Sequence, residues 1–271
     1  MSLRRIARLV LAAPALMLAA SAAQAGIGDL LVAPTRVVLD GRRGTEVILN
    51  NIGDEVATYR VTVELRRMDP EGKLVDVASP SEAEKAAQEM ILYAPRRITL
   101  PPNQPQAIRL SARAPQGLPD GEYRVHLLFR AVPPARPAAP AEKVEGVAFQ
   151  LIPIYGVTIP VIVRLGNLEA KAALSNVRKV TEGGHAAIAL DISRSGERST
   201  YGEVRILKAG IADPIAIARG ISVYTEVGQR SVVIPIDPKQ IANASGQVTV
   251  QYVEPTDTGP VTIAETSAVL R

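Results

Sequence analysis

The sequence predicts an all-β chain built as two Ig-like β-sandwich domains, and three observations point there. Turn-forming clusters of Gly, Pro, Asn and Asp recur about every 8–12 residues after Gly26, the spacing of a sandwich. Apolar residues mostly alternate between those turns, the period of a half-buried strand. Only one segment, Ser81–Met90 (SEAEKAAQEM), carries convincing helix chemistry, with good helix formers behind a Ser/Glu start, and reads as a short helix or a loop insertion. One larger β-domain is the alternative architecture.

The first 25 residues stand apart from this pattern. Arg4, Arg5 and Arg8 precede an apolar run from about Leu9, and Ala23-Gln24-Ala25 closes it. That order of charged, apolar and small residues is the mark of a secretory signal peptide over residues 1–25. The apolar run is short for a membrane span, and no later stretch reaches 18 uninterrupted apolar residues. The expected mature protein starts at Gly26, is exported to the periplasm and is not inserted in the membrane.

Export changes what the charge means. The whole chain has 31 Lys and Arg against 27 Asp and Glu, a net charge of +4. Without the three signal arginines the excess falls to one, so the electrostatic footprint of a nucleic-acid partner is missing. Cysteine is absent, so an oxidising compartment contributes no disulfide and stability rests on burial. Val, Ile, Leu and Ala must supply that burial, since there is no Trp and only two Phe.

Along the first domain, residues 26–165, strands are expected over 30–38, 45–51, 56–67, 73–77, 90–93, 96–100, 106–112, 122–132 and 147–163. The Pro/Ala-rich segment 133–146 (PPARPAAPAEKVEG) precedes the last of these. Along the second domain, residues 166–271, the expected strands are 171–180, 186–193, 201–208, 215–221, 231–236, 247–253 and 261–269. Gly183-Gly184 and Asp257-Thr258-Gly259-Pro260 are turns. The short junction near Arg164–Leu168 implies a fixed bend between the domains.

The stretch 147–164, VAFQLIPIYGVTIPVIVR, is the most informative. Its odd positions from Val147 to Val163 form an unbroken apolar row at strand period. Its length far exceeds a common strand of about 5–6 residues. Pro153 and Pro160 lack a ladder donor and belong at an edge or bulge, with Gly156 between them as a place to bend. A long apolar edge is an aggregation hazard unless it is covered or used. It is therefore either offered to another chain or an ordinary sandwich strand running into a linker.

Catalytic and metal-binding patterns are missing. His126 and His185 lie far apart with no Cys companions, and no nucleophile elbow, phosphate loop, dinucleotide fingerprint or zinc-protease motif occurs. Ser193-Arg194-Ser195-Gly196 reads as a polar turn. Neither enzyme activity, a cofactor nor a metal is expected.

Four segments carry a family resemblance. They are Leu31-Val32-Ala33-Pro34-Thr35-Arg36-Val37-Val38-Leu39-Asp40-Gly41, Tyr93-Ala94-Pro95-Arg96-Arg97-Ile98-Thr99-Leu100-Pro101-Pro102, Gln106-Ala107-Ile108-Arg109-Leu110, and the run from Gly121 to Pro134 ending Arg130-Ala131-Val132-Pro133-Pro134. In this order they resemble the N-terminal domain of periplasmic chaperones of the chaperone–usher pilus pathway, the PapD-like family. The resemblance covers about residues 29–165; beyond them it holds only in size and strand count. It implies an L-shaped (boomerang) arrangement of two Ig-like domains. It also implies that the last strand of the first domain is lent to an incomplete pilus or surface-fibre subunit, which is then delivered to an outer-membrane usher. Val147, Phe149, Leu151 and Tyr155 match the donor residues, and Arg36 matches the cleft arginine that grips the subunit's C-terminal carboxylate. The family's second anchor, a lysine, aligns with Pro160, and no lysine stands within Thr158–Val161. Glu122, Arg164 and Asp257 match an interdomain salt-bridge triad, with Glu254 the alternate for Asp257. The competing function is a secreted Ig-like structural or adhesive surface protein that keeps its own strand.

Overall fold

The computed structural model describes residues 29–133 and 154–271. The chain opens with β1 (Leu30–Ala33) and β2 (Val37–Leu39), where one strand over 30–38 was expected. The cis Ala33–Pro34 peptide and a bend at Pro34–Arg36 separate them, and they join different sheets. β3 (Thr45–Asn51) follows. The expected strand 56–67 likewise divides, into β4 (Ala57–Glu64) and the short β5 (Arg66–Met68), which pairs only with β6 (Leu74–Asp76).

The helix α1 (Glu82–Met90) forms where its chemistry predicts. Ser81 Oγ accepts from the Glu84 amide at 3.3 Å, and Glu84 Oε2 accepts from the Ser81 amide at 2.7 Å. That reciprocal capping box satisfies two backbone donors that a helix start leaves open. Arg67 also grips Glu84 at 2.6 Å, and this contact first, then Ser81, holds the carboxyl down at about 2. Ala87 and Met90 turn inward and fix the helix to the core.

The first sandwich is completed by β7 (Ile91–Ala94), β8 (Arg97–Leu100), β9 (Pro105–Ala112), β10 (Gly121–Val132) and β11 (Gly156–Leu165). Its sheets have the orders β1-β3-β9-β7 and β2-β11-β10-β4-β8. Alternation decides which side chains fill the space between. Tyr123, Val125, Leu127, Phe129 and Ala131 of β10, with Ile159, Val161 and Val163 of β11, are all buried there. Each fully buried aliphatic side chain contributes about 1.5–3 kcal/mol.

The second sandwich comprises β12 (Ala170–Glu182), β13 (His185–Gly196), β14 (Thr200–Leu207), β15 (Ala216–Val223), β16 (Gln229–Pro235), β17 (Gly246–Thr256) and β18 (Gly259–Leu270). Sheets β12-β13-β16 and β15-β14-β17-β18 enclose a separate core of Ile188, Leu190, Ile192, Ile206, Val250 and Tyr252. Two residues from the first half, Met68 and Ile162, are packed into this second core. Both lie on the face of the five-stranded sheet, or of its neighbouring hairpin, that is turned away from the first core.

Candidate functional site

The site is built around the free flank of β11. Along its whole length, Gly156 to Leu165, this strand pairs with β10. On its other side β2 pairs with Val161, Ile162 and Val163 alone. Residues 156–160 therefore present an edge with no strand partner among the described residues. The Tyr155 carbonyl accepts from the Ala131 amide at 2.9 Å, which fixes the parity. Odd-numbered residues of β11 turn their backbone groups to β10, and even-numbered ones turn theirs to the open edge. The edge thus offers N–H and C=O of Gly156 and Thr158 and the C=O of Pro160. Proline at 160 withholds its donor from the open side and costs the β10 ladder nothing.

This corrects the expected strand 147–163. The described strand begins at Gly156, and its odd row, Ile159, Val161 and Val163, is core of its own sandwich. Lending those side chains would empty that core. Of the expected donors, Val147, Phe149 and Leu151 lie outside the described residues. Tyr155 is described, just ahead of β11, and is 56% exposed beside Ile154 at 47%.

Arg36 sits at the start of β2, one residue before its parallel pairing with β11. Continuing that register places Arg36 beside Pro160, since Val37 pairs with Val161. Its guanidinium Nη2 reaches Ser199 Oγ at 3.4 Å, and its Cζ lies 4.6 Å from the Tyr201 ring centroid. Nη1 is buried and has no hydrogen-bond partner among the described residues. Burial lowers the Arg36 pKa, opposed first by Tyr224 and reinforced by the charge of Arg164. The result is a desolvated cation with an unused donor, set where an anion would be held by charge-assisted bonds.

Glu122 and Arg164 meet beside this arginine. Glu122 Oε2 accepts from Arg164 Nε at 2.9 Å and from the Ser199 amide at 3.0 Å, while Arg164 Nη2 donates to the Ser199 carbonyl at 3.2 Å. The backbone of one residue, Ser199, is thus clasped on its N–H by an acid from β10 and on its C=O by a base from β11. Asp257 takes no part in this. It is exposed in the β17–β18 turn and forms no ion pair among the described residues. Glu254 is bound instead to Arg198 through two contacts of 2.8 and 2.9 Å.

A second tie had no signal in the sequence. Arg124 on β10 donates to both carboxylate oxygens of Glu226, at 3.0 and 2.5 Å, and lies 3.6 Å from the Tyr224 ring centroid. Glu226 also accepts from the Met68 amide at 2.8 Å, and the Ser231 amide donates to the Pro70 carbonyl at 2.8 Å. Arg124 and Glu226 are single charges 102 residues apart, so no spacing rule could have joined them.

Comparison with solved structures gives distant matches. The YadV chaperone is 16% identical with a TM-score of 0.47, over 89% of this chain and 100% of that one. The SafB chaperone of Salmonella enterica, in complex with SafA pilin, is 18% identical with a TM-score of 0.46, over 90% and 98%. The CsuC–CsuE chaperone–tip subunit complex from archaic Csu pili of Acinetobacter baumannii gives 14% and 0.44, over 89% and 97%. The likeness is to chaperones. No family model and no curated protein matches the chain.

His126 and His185 are held apart. His185 is exposed at the β12–β13 turn, while His126 is buried in β10 between Glu64 and Pro160, both ring nitrogens without a partner among the described residues. Burial first, then the charges of Arg124 and Arg66, push its pKa down to about 3.

Proposed function

We propose that this chain is a periplasmic assembly chaperone that completes pilus or surface-fibre subunits by strand donation and hands them to an outer-membrane usher. The observation that carries this is the open edge of β11 over residues 156–160, flanked at its closed end by Arg36 with its unpartnered Nη1. A subunit strand laid along the edge would gain ladder bonds from Gly156 and Thr158. Its C-terminal carboxylate would reach Arg36, where β2 closes the edge. Backbone pairing supplies affinity in this mode and alternate side chains supply specificity.

The apolar row continues in sequence from Tyr155 back through Leu151, Phe149 and Val147, and these are the side chains assigned to the subunit's groove. The residues from Ile159 onward stay in the chaperone's own core. The donated segment is therefore 147–157, and the strand serves two proteins along its length. Glu122 and Arg164, clasping Ser199, hold the two sandwiches in the orientation that frames the edge, a role of geometry more than of stability.

Co-expression with a small exported subunit of truncated Ig-like sequence tests the proposal. A stable heterodimer is expected from the unaltered chain, and Leu151→Asp is expected to abolish it while leaving the free chain folded. A free chain that unfolds on Leu151→Asp would mark the strand as this protein's own.

A further inference from the structure

The outer face of the five-stranded sheet has two ends of opposite character. Toward the second sandwich Arg124 of β10 meets Glu226, Arg164 of β11 meets Glu122, and Arg66, just past β4, meets Glu64. At the far end Arg130 is directly opposite Arg60, and Arg60 directly opposite Arg97. Residues so paired share a face. Three exposed arginines thus stand in a row across β10, β4 and β8, and none forms an ion pair with a carboxylate among the described residues. Their neighbours on that face are Thr58, Thr62, Thr99 and Leu128, which bring no compensating charge. Like charges placed opposite one another disfavour the sheet that holds them.

On β11 the row continues as Gly156, directly opposite Arg130. Beyond Gly156 lies the open edge. A side chain here would crowd its neighbours, since a Cβ would stand 2.9 Å from Leu128 Cδ1. A strand added to the edge would place its own residue beside Gly156 on the same face as the arginines. That residue would be two strand spacings, roughly 10 Å, from the Arg130 backbone, with no side chain between them. An extended arginine and a glutamate together span such a gap.

We infer that the strand accepted by this edge carries a carboxylate at the residue beside Gly156, and that Arg130, backed by Arg60 and Arg97, selects it. The inference rests on the proposed use of the β11 edge for strand addition. The occupant is an acidic peptide strand, not a phosphate polymer, because the row runs into unpaired backbone groups that only a peptide can satisfy in register. The arginines set which client is accepted, while the ladder bonds hold it.

The test uses fluorescent peptides of about 10 residues, alternating Val and Thr. They are identical except for Glu, Gln or Lys at one central threonine position. Binding is followed by anisotropy with the purified chain and with its R60Q/R97Q/R130Q variant. At low salt the unaltered chain is expected to bind the Glu peptide about 10-fold more tightly than the Gln peptide, with Lys weakest. The ratio is expected to fall to about twofold or less in the variant and in about 0.3 M NaCl. The Gln peptide should bind both proteins alike. Equal binding of Glu and Gln peptides by the unaltered chain overturns the charge selection and leaves strand addition standing. No binding of any peptide overturns both. Arginine-dependent capture of inorganic polyphosphate, without a Glu preference, would make the row a phosphate site and overturn the inference. Arg130→Gln alone, checked for folding by circular dichroism, is expected to remove most of the preference if the triple variant is unstable.

Discussion

Val37 and Val161 are the first pair of β2 on β11, and the register continued by one residue sets Arg36 beside Pro160. The Arg36–Pro160 pair explains a departure seen in the sequence, the missing lysine. The position aligned with the second anchor does lie next to Arg36, but its residue has no charge, and Arg164 nearby is engaged by Glu122 and Ser199. Under the proposed function, the anchoring falls to the Arg36 guanidinium. Arg36→Ala is expected to leave the melting temperature of the free chain nearly unchanged, because no carboxylate is paired to it. It should weaken subunit capture by about 2–5 kcal/mol, since a client carboxylate would be left buried and unpaired. Arg36→Lys should restore little, as an ammonium lacks the planar fork. Capture by Arg36→Ala at unaltered affinity would remove the anchor.

Arg124 of β10 and Glu226 of the second half form an ion pair between the sandwiches. The Arg124 side chain is only 8% exposed, so Glu226→Gln strands a buried charge. A loss of about 2–3 kcal/mol is expected, below the full cost of breaking a buried pair because Glu226 is partly solvated. Calorimetry should show one unfolding transition splitting into two as the halves uncouple. A single unshifted transition would mean that the cores are joined mainly through Met68 and Ile162.

The buried His126 is expected to make the fold acid-sensitive. Its folded pKa, about 3, lies below the unfolded value near 6.5, so the unfolded chain binds the extra proton. Its contribution is neutral above pH 6.5, and stability falls as pH drops from there toward 3, by up to about 1.4 kcal/mol per unit. Glu84, also depressed, adds its own loss only below its ordinary value near 4.5. His126→Leu should therefore flatten the denaturation midpoint between pH 6.5 and 4.5 and leave the decline below 4.5. A slope unaltered by the substitution would assign the sensitivity elsewhere.

The arginine row carries a stability cost that can be relieved. Removing its two like-charge pairs in R60Q/R97Q/R130Q is expected to stabilise the free chain by about 0.5–1 kcal/mol at low salt. The gain should shrink as salt screens the repulsion. Urea denaturation at two salt concentrations measures both.

Much of the fold was legible because alternation and turns are local. The strands of β10 and the second sandwich, the capping box at Ser81 and the pairing of Glu122 with Arg164 all follow from short patterns or from the resemblance. What was not legible depends on register between distant strands. Period 2 gives one parity to Tyr155, Ile159 and Val163 alike, and cannot say where β2 stops covering β11 and the row passes from core to edge. The division of 30–38 into two strands in different sheets is a tertiary event at Pro34. The resemblance puts Asp257 in the triad with Glu254 as alternate; the structure leaves Asp257 exposed in its turn and binds Glu254 to Arg198. The Arg124–Glu226 tie and the row Arg130, Arg60 and Arg97 exist only once the sheet is assembled.

Strand donation at the β11 edge is tested most directly by amide hydrogen exchange at Gly156 and Thr158, with and without a captured subunit. In the free chain these two amides point to the open edge and should exchange fast, while those of Val157 and Ile159, bonded toward β10, should be protected. On subunit capture Gly156 and Thr158 should become protected to a degree approaching that of Val157 and Ile159. Protection already present in the free chain, or fast exchange persisting in a purified complex, would contradict donation at this edge.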